Sequence, residues 1–137
     1  MNPIPYRIAH IQTLQFAIFP EKYINGQEVL INTNVSFGYK SDLSQIRNTL
    51  SVQYVQGDDL LLLLQINCYY DIAPEGISSL KEEGKIPVDF LRYMATISVG
   101  IARGVIHEKT EGSVLNPVVL PPVNLVEAIK EDLSITE

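Results

Sequence analysis

One stretch of this sequence has more apolar surface than a surface helix can use. The spacing predicts a long helix over Val88 to Ile106. At about 100° per residue, Phe90, Leu91, Tyr93, Met94, Ala95, Ile97, Val99, Ile101, Ala102, Val105 and Ile106 cover roughly 240° of its circumference, against the ~100° stripe of an ordinary surface helix. Arg92, Thr96 and Arg103 form a narrow polar remainder. Such a helix needs cover on two sides. The chain is one domain by size, residues 1–137. Its own sheet supplies one cover, and the second is expected from another copy of itself.

The strands that make the sheet come first. Tyr6 to Phe19 alternates apolar and polar residues, but Leu14, Phe16 and Ile18 fall out of phase with Ile11. A bulge near Gln12 to Leu14 restores the phase. Pro20 ends this strand, and Asn25-Gly26 signals a turn. Glu28 to Tyr39 is the second strand, with Val29, Ile31, Thr33, Val35, Phe37 and Tyr39 on one face. After a polar loop, Lys40 to Ser44, comes a third, Ile46 to Gln56. There Ile46, Leu50, Val52 and Tyr54 point inward and Asn48 interrupts them. Gly57-Asp58-Asp59 turns into the fourth, Leu60 to Ile72, whose even positions from Leu60 to Tyr70 point inward. Short turns between strands predict an antiparallel sheet with one apolar and one polar face.

Pro74-Glu75-Gly76 breaks the last strand, and Ile77 to Gly84 reads as a short polar helical turn or loop. Pro87 suits the first turn of the long helix, Asp89 suits its positive end, and Gly104 is placed to help terminate it. His107 to Leu120 has no periodicity and is long for a connection in a compact domain. Pro121-Pro122 starts a final helix, Val123 to Leu133, with Leu125, Val126, Ile129 and Leu133 as its apolar stripe. The fold class is α+β: a four-stranded antiparallel sheet with a long and a short C-terminal helix packed on one face.

Several functions are disfavoured. The chain has no Gly-rich phosphate loop, no His-Glu-x-x-His motif and no paired cysteines, so no cofactor and no metal is expected. His10 and His107 lie far apart and read as structural or solvent residues, and Asp58-Asp59 reads as a turn. Cys68 points inward, as a small buried hydrophobe. No catalytic constellation emerges, so an enzyme is not expected. Net charge is −6, with no basic cluster interleaved with aromatics, which argues against nucleic acid. The apolar run Leu60 to Leu64 is far short of the ~20 residues of a membrane span. The N-terminus, Met1 to Pro5, lacks the pattern of a signal peptide, and one cysteine suits a reducing compartment. A cytoplasmic protein without membrane insertion is expected. Tyr6, Tyr23 and Tyr69 are read as ordinary strand formers, with contact to an extended partner chain as the other reading.

The order of signals in the C-terminal half is more specific. An aromatic pair, Tyr69-Tyr70, ends a strand. Gly84-Lys85-Ile86-Pro87 leads into the long helix, which closes on Arg103-Gly104. An irregular crossover then reaches Leu120-Pro121-Pro122-Val123-Asn124-Leu125. This order, with Gln12-Thr13-Leu14-Gln15-Phe16 and Pro20 at the start, resembles the SecB family of protein-export chaperones. The resemblance spans essentially the whole chain.

It implies an ATP-independent holdase for unfolded polypeptide clients, assembled as a dimer of dimers, with delivery to the SecA motor in many members. It implies client contacts near the crossover and adjacent strands: Val114, Leu115, Val118, Val119, Leu120, Phe37, Tyr39 and Tyr54. It also implies that Phe90, Met94, Ala95, Ile97, Ser98, Ile101 and Ala102 meet other copies. The crossover has a second reading, as a loop that merely covers the last helix. One departure stands out. Exporting members dock the motor on an acidic outer sheet face. Here that face carries Glu28 and Asp71 but also Arg47, and is otherwise Asn, Ser, Thr and Gln. A SecB-like chaperone of a toxin–antitoxin pair is therefore an alternative within the family. A carrier of a small hydrophobic ligand is the alternative outside it; an enclosed cavity would favour the carrier, and open channels the chaperone.

Overall fold

A computed structural model describes residues 4–135, so the expectation about a leader at Met1 to Pro3 lies outside the described residues. Four strands, β1 (Tyr6–Ile18), β2 (Leu30–Tyr39), β3 (Gln45–Gln56) and β4 (Asp59–Ile72), form one antiparallel sheet in the order β1-β4-β3-β2. The first strand thus lies beside the fourth, not the second. Gln56 explains how the intervening loop is held. Its buried amide accepts from Ile24 N–H at 2.8 Å and donates to the carbonyls of Ile24 at 2.9 Å and Gln27 at 3.1 Å. This carries residues 19–29 past the end of β3, so that β1 and β2 end up on opposite edges.

The expected bulge is present. Thr13 pairs with Ile66 and Gln15 with Gln65, leaving Leu14 as the extra residue, and a second irregularity falls at Ala9. Ile46, Leu50, Val52, Tyr54, Leu62, Leu64, Ile66, Cys68 and Tyr70 are buried on the inner face. Asn48 sits among them, fully buried. Its Nδ2 donates to Ser36 O at 3.0 Å, and its Oδ1 has no partner among the described residues. The loop before β3 is less polar than its sequence suggests. Leu43 is buried there at φ 62°, a left-handed conformation that a branched side chain adopts only when packing compels it.

Two helices follow. α1 (Pro74–Glu83) is longer than the expected turn and ends on Gly84 at φ 70°, where glycine costs least. A Cβ on Gly76 would meet Ile4 Cγ2 at 2.8 Å and Ile72 Cγ2 at 3.0 Å. Gly76→Ala is therefore expected to lower stability by about 1–2 kcal/mol in urea unfolding, since neither methyl can retreat freely. α2 (Val88–Lys109) runs through Gly104, which does not terminate it. The stop is Thr110, whose Oγ1 donates to Ile106 O at 2.6 Å. Pro87 is the residue just before the helix rather than its first turn. One face of α2, Phe90, Leu91, Met94, Ala95, Ser98, Val99, Ala102 and Ile106, is buried and packs on β3 and β4. Ser98 Oγ and Met94 O both bond Tyr70 Oη, at 2.8 and 2.9 Å, deep in this layer.

The final helix is far shorter than its apolar stripe predicts. α3 is only Leu125–Ala128, capped by Asn124 Oδ1 accepting from Glu127 N–H. Beyond it, tertiary bonds pull the chain extended. Arg92 Nε and an Nη donate to Ile129 O at 2.9 and 2.7 Å. Asp132 accepts from Val88 N–H at 2.7 Å, satisfying an orphan donor of α2, and pairs with Lys85 at 2.9 Å. Leu133–Ser134 then forms β6 against β5 (Lys85–Ile86).

These pins carry a pH signature. Hydrogen bonding to Lys85 and to Val88 N–H lowers the Asp132 carboxyl pKa below its ordinary 3.8. A lowered folded pKa gives stability that is present above the unfolded value and lost as pH falls through the folded one. Amide protection at Val88 and Ile135, measured relative to the intrinsic exchange rate at each pH, is expected to fall below pH 4, and Asp132→Ala is expected to show that lower protection already at pH 7.

Candidate functional site

The crossover from Thr110 to Asn124 is held by buried anchors and by side chains bonding its backbone. Leu115 and Leu120 are fully buried. Tyr54 Oη donates to Val118 O at 3.0 Å, Arg103 Nε to Leu120 O at 2.7 Å, and an Arg103 Nη to Pro121 O at 3.2 Å. Asn116 Nδ2 donates to His107 O at 3.0 Å. Burial pushes the Tyr54 phenol up to about 12, so it stays a proton donor at neutral pH, although Arg103 nearby opposes the shift.

These ties hold Val114 and Val119 in solvent and Val118 half-buried beside them. Tyr23, Asn25, Val114, Pro117 and Val118 line a hollow of about 710 Å³ that opens to solvent. A smaller one, about 230 Å³ and also open, lies against β2 and is lined by Val35, Phe37, Leu91 and Ala128 to Leu133. The larger is lined mostly by apolar side chains beside Asn25, a lining suited to many weak contacts, whereas the smaller mixes apolar side chains with Lys130, Glu131 and Asp132.

The residues expected to touch a client therefore divide. Val114, Val118 and Phe37 line the hollows, and Val119 is exposed beside the first. Tyr39 is half-buried, with its Oη 3.4 Å from Ser134 O. Leu115, Leu120 and Tyr54 are interior and hold the crossover in place; in this structure they have no surface to offer a client. Tyr23, Pro117, Val35 and Leu91 line the hollows without having been assigned to them. Tyr23 carried a signal, as a tyrosine at a strand end.

The helix residues expected to meet other copies divide in the same way. Phe90, Met94, Ala95, Ser98 and Ala102 face this chain's own sheet and are buried there. A wide apolar arc shows that two covers are needed but not which side each takes. Ile97 and Ile101 remain on the outer side, with Tyr93, Gly100 and Gly104. A Cβ on either glycine would meet nothing within 4 Å. Ile8, Ile11 and Leu14 of β1 are also exposed (44%, 44% and 45%).

The outer sheet face is a polar network. Thr49 Oγ1 donates to Asn67 Oδ1 at 2.6 Å, Asn67 Nδ2 to Tyr69 Oη at 3.3 Å, and Tyr69 Oη to Gln12 Oε1 at 3.3 Å. Asp71 accepts from Gln45 at 3.0 Å and pairs with Arg7 at 3.3 Å, and these bonds hold its carboxyl pKa below the ordinary range. Among the described residues no group of three or more His, Cys, Asp or Glu is arranged to hold a metal, and no helix is long and apolar enough to cross a membrane.

The same architecture occurs in a SecB-like chaperone of Mycobacterium tuberculosis, solved in complex with a ChAD peptide from the HigA1 antitoxin. The two chains are 12% identical and superpose with a TM-score of 0.55; the match covers 86% of this chain and 90% of that one. The fold of this chain is SecB-like. No family model and no curated protein matches the sequence.

Proposed function

We propose that this protein is an ATP-independent chaperone that holds non-native polypeptides. The observation that carries the proposal is the open apolar hollow of Tyr23, Val114, Pro117 and Val118, held in place by a crossover tied to Tyr54 and Arg103. Apolar hollows of this kind hold an extended chain by area, without reading its sequence. The openness of both hollows favours this reading over a small-ligand carrier. Holding without a nucleotide loop is passive, with release by competition or transfer. The assembly surface is the outer side of α2, with Tyr93, Ile97 and Ile101, together with Ile8, Ile11 and Leu14 of β1; copies meet there as a dimer of dimers. The working compartment is the cytoplasm, where Cys68 stays reduced.

Within this role, a dedicated client such as an antitoxin is favoured over general export. The outer sheet face offers no acidic docking patch, because Asp71 is engaged by Gln45 and Arg7. Dilution of a chemically denatured substrate into near-stoichiometric protein, without nucleotide, tests the role by light scattering. Suppressed aggregation is expected; unchanged aggregation at several-fold excess would contradict it.

A further inference from the structure

We propose that Asn25 is a site of spontaneous modification: its side-chain amide closes onto the Gly26 nitrogen and reopens to aspartate and isoaspartate, which puts a carboxylate in the larger hollow. The chemistry at Asn25 stands by itself, whereas its effect on a held chain rests on the holding role above.

Ring closure needs a free, uncrowded backbone nitrogen one residue after the asparagine. Asn25-Gly26 supplies it. Both residues are exposed, in the turn between β1 and β2. Among the described residues, neither the Asn25 side-chain amide nor Gly26 N–H has a hydrogen-bond partner. Gly26 sits at φ 87°, which suits glycine, and it has no side chain to hinder the approach to Asn25 Cγ. The turn is nevertheless held at both ends, because Gln56 bonds Ile24 N–H, Ile24 O and Gln27 O. The reactive pair is the unbonded centre of a fastened loop.

The other asparagines lack this arrangement, so the chain carries its own controls. Asn2 and Asn116 precede Pro3 and Pro117, which have no N–H to attack with. Asn32, Asn34, Asn48 and Asn67 lie within strands, whose extended geometry opposes closure. Three of them also precede a stiff, branched side chain, at Thr33, Val35 and Thr49. Asn124 is engaged as the cap of α3.

The reaction needs no partner but water. Gly26 N gives its proton to solvent base and attacks Asn25 Cγ. The Cγ–Nδ2 bond breaks, ammonia leaves, and a five-membered succinimide remains. Water then adds to one of the two ring carbonyls. Breaking the new Cγ–N bond restores the main chain and gives aspartate. Breaking the original peptide bond gives isoaspartate, with a main chain one methylene longer. Either product sets a carboxylate beside Tyr23, Val114, Pro117 and Val118. A chain covering the hollow must strip water from that charge, which opposes an apolar hold. Isoaspartate also stretches the span from Ile24 to Gln27 that Gln56 fastens.

The test ages the full chain at mildly alkaline pH and follows it by tryptic digestion with electron-transfer fragmentation. One peptide, Tyr23 to Lys40, carries Asn25, Asn32 and Asn34 together. A gain of one mass unit confined to Asn25, faster at higher pH and containing both isomers, is expected. No gain, or a gain that appears first at Asn32 or Asn34, overturns the site. Affinity is read by anisotropy with a fluorescent, leucine-rich peptide of no net charge. Aged protein and fresh Asn25→Asp are expected to bind it roughly tenfold more weakly than fresh protein. Asn25→Gln, whose closure needs a slower six-membered ring, is expected to bind equally before and after ageing. Amide exchange at Ile24 is expected to quicken in aged protein but not in Asn25→Asp, because only isoaspartate lengthens the chain. Equal affinity of fresh, aged and Asn25→Asp protein overturns the effect on the hollow. Fresh protein that binds no peptide and protects no denatured substrate overturns the holding role and that effect with it, while the mass gain still decides the site.

Discussion

Ile97→Asp combined with Ile101→Asp is expected to reduce the particle to its 15.3 kDa protomer in light scattering and to weaken polypeptide holding, which then rests on the hollows of one protomer. Both side chains lie on the outer side of α2, only partly covered by their own chain. The protomer therefore loses little, and its near-ultraviolet circular dichroism should be retained. The proposed assembly would lose much more, because each copy would bring two carboxylates into the proposed helix interface, at a cost of several kcal/mol per uncompensated charge. Phe90→Asp is the contrast. Phe90 is buried in the protomer, 5.1 Å from the Tyr6 ring, so this change should unfold the chain rather than dissociate it.

The second large effect is at Tyr54. Tyr54→Ala empties a fully buried aromatic site and is expected to cost about 3–5 kcal/mol in unfolding free energy. Tyr54→Phe keeps the packing and loses only the bond to Val118 O, about 1 kcal/mol. In that variant the fold should survive while Val118 and its neighbours in the crossover exchange faster, and client affinity should fall. Tyr54 also sets an alkaline limit. Its folded pKa is raised, from 10.0 to about 12, so its contribution is complete below pH 10 and lost as pH rises through about 12. Tyr54→Phe is expected to flatten part of that alkaline loss.

The sheet was legible because alternation reports which side chains share a face. It placed the inner row from Leu62 to Tyr70 and required the extra residue found at Leu14. Alternation does not report which strands are neighbours. The position of β1 beside β4 goes with a loop that Gln56 fastens through its side-chain amide, a long-range contact with no local pattern. The last helix is shorter than its stripe predicts for the same reason. Its apolar stripe is real, but Arg92, Val88 and Lys85 take hold of Ile129 and Asp132, and these bonds outweigh a weak helical preference.

The candidate site was legible as a region, not as a set of contacts. Valines and leucines in a loop look alike in sequence. Only the fold shows that Leu115 and Leu120 anchor the crossover while Val114 and Val119 remain in solvent. Tyr54 read as a contact residue, yet it supports the crossover from below. Tyr23 and Pro117 complete the hollow because a distant loop folds back to meet the crossover.

The most direct test of the holding account follows amide and methyl chemical shifts of the full chain as a permanently unfolded polypeptide is titrated in without nucleotide. Perturbation is predicted at Tyr23, Val114, Val118, Val119 and Phe37. Shifts confined to the outer face around Thr49, Ser51 and Gln53, or no shifts at saturating polypeptide, would contradict the account.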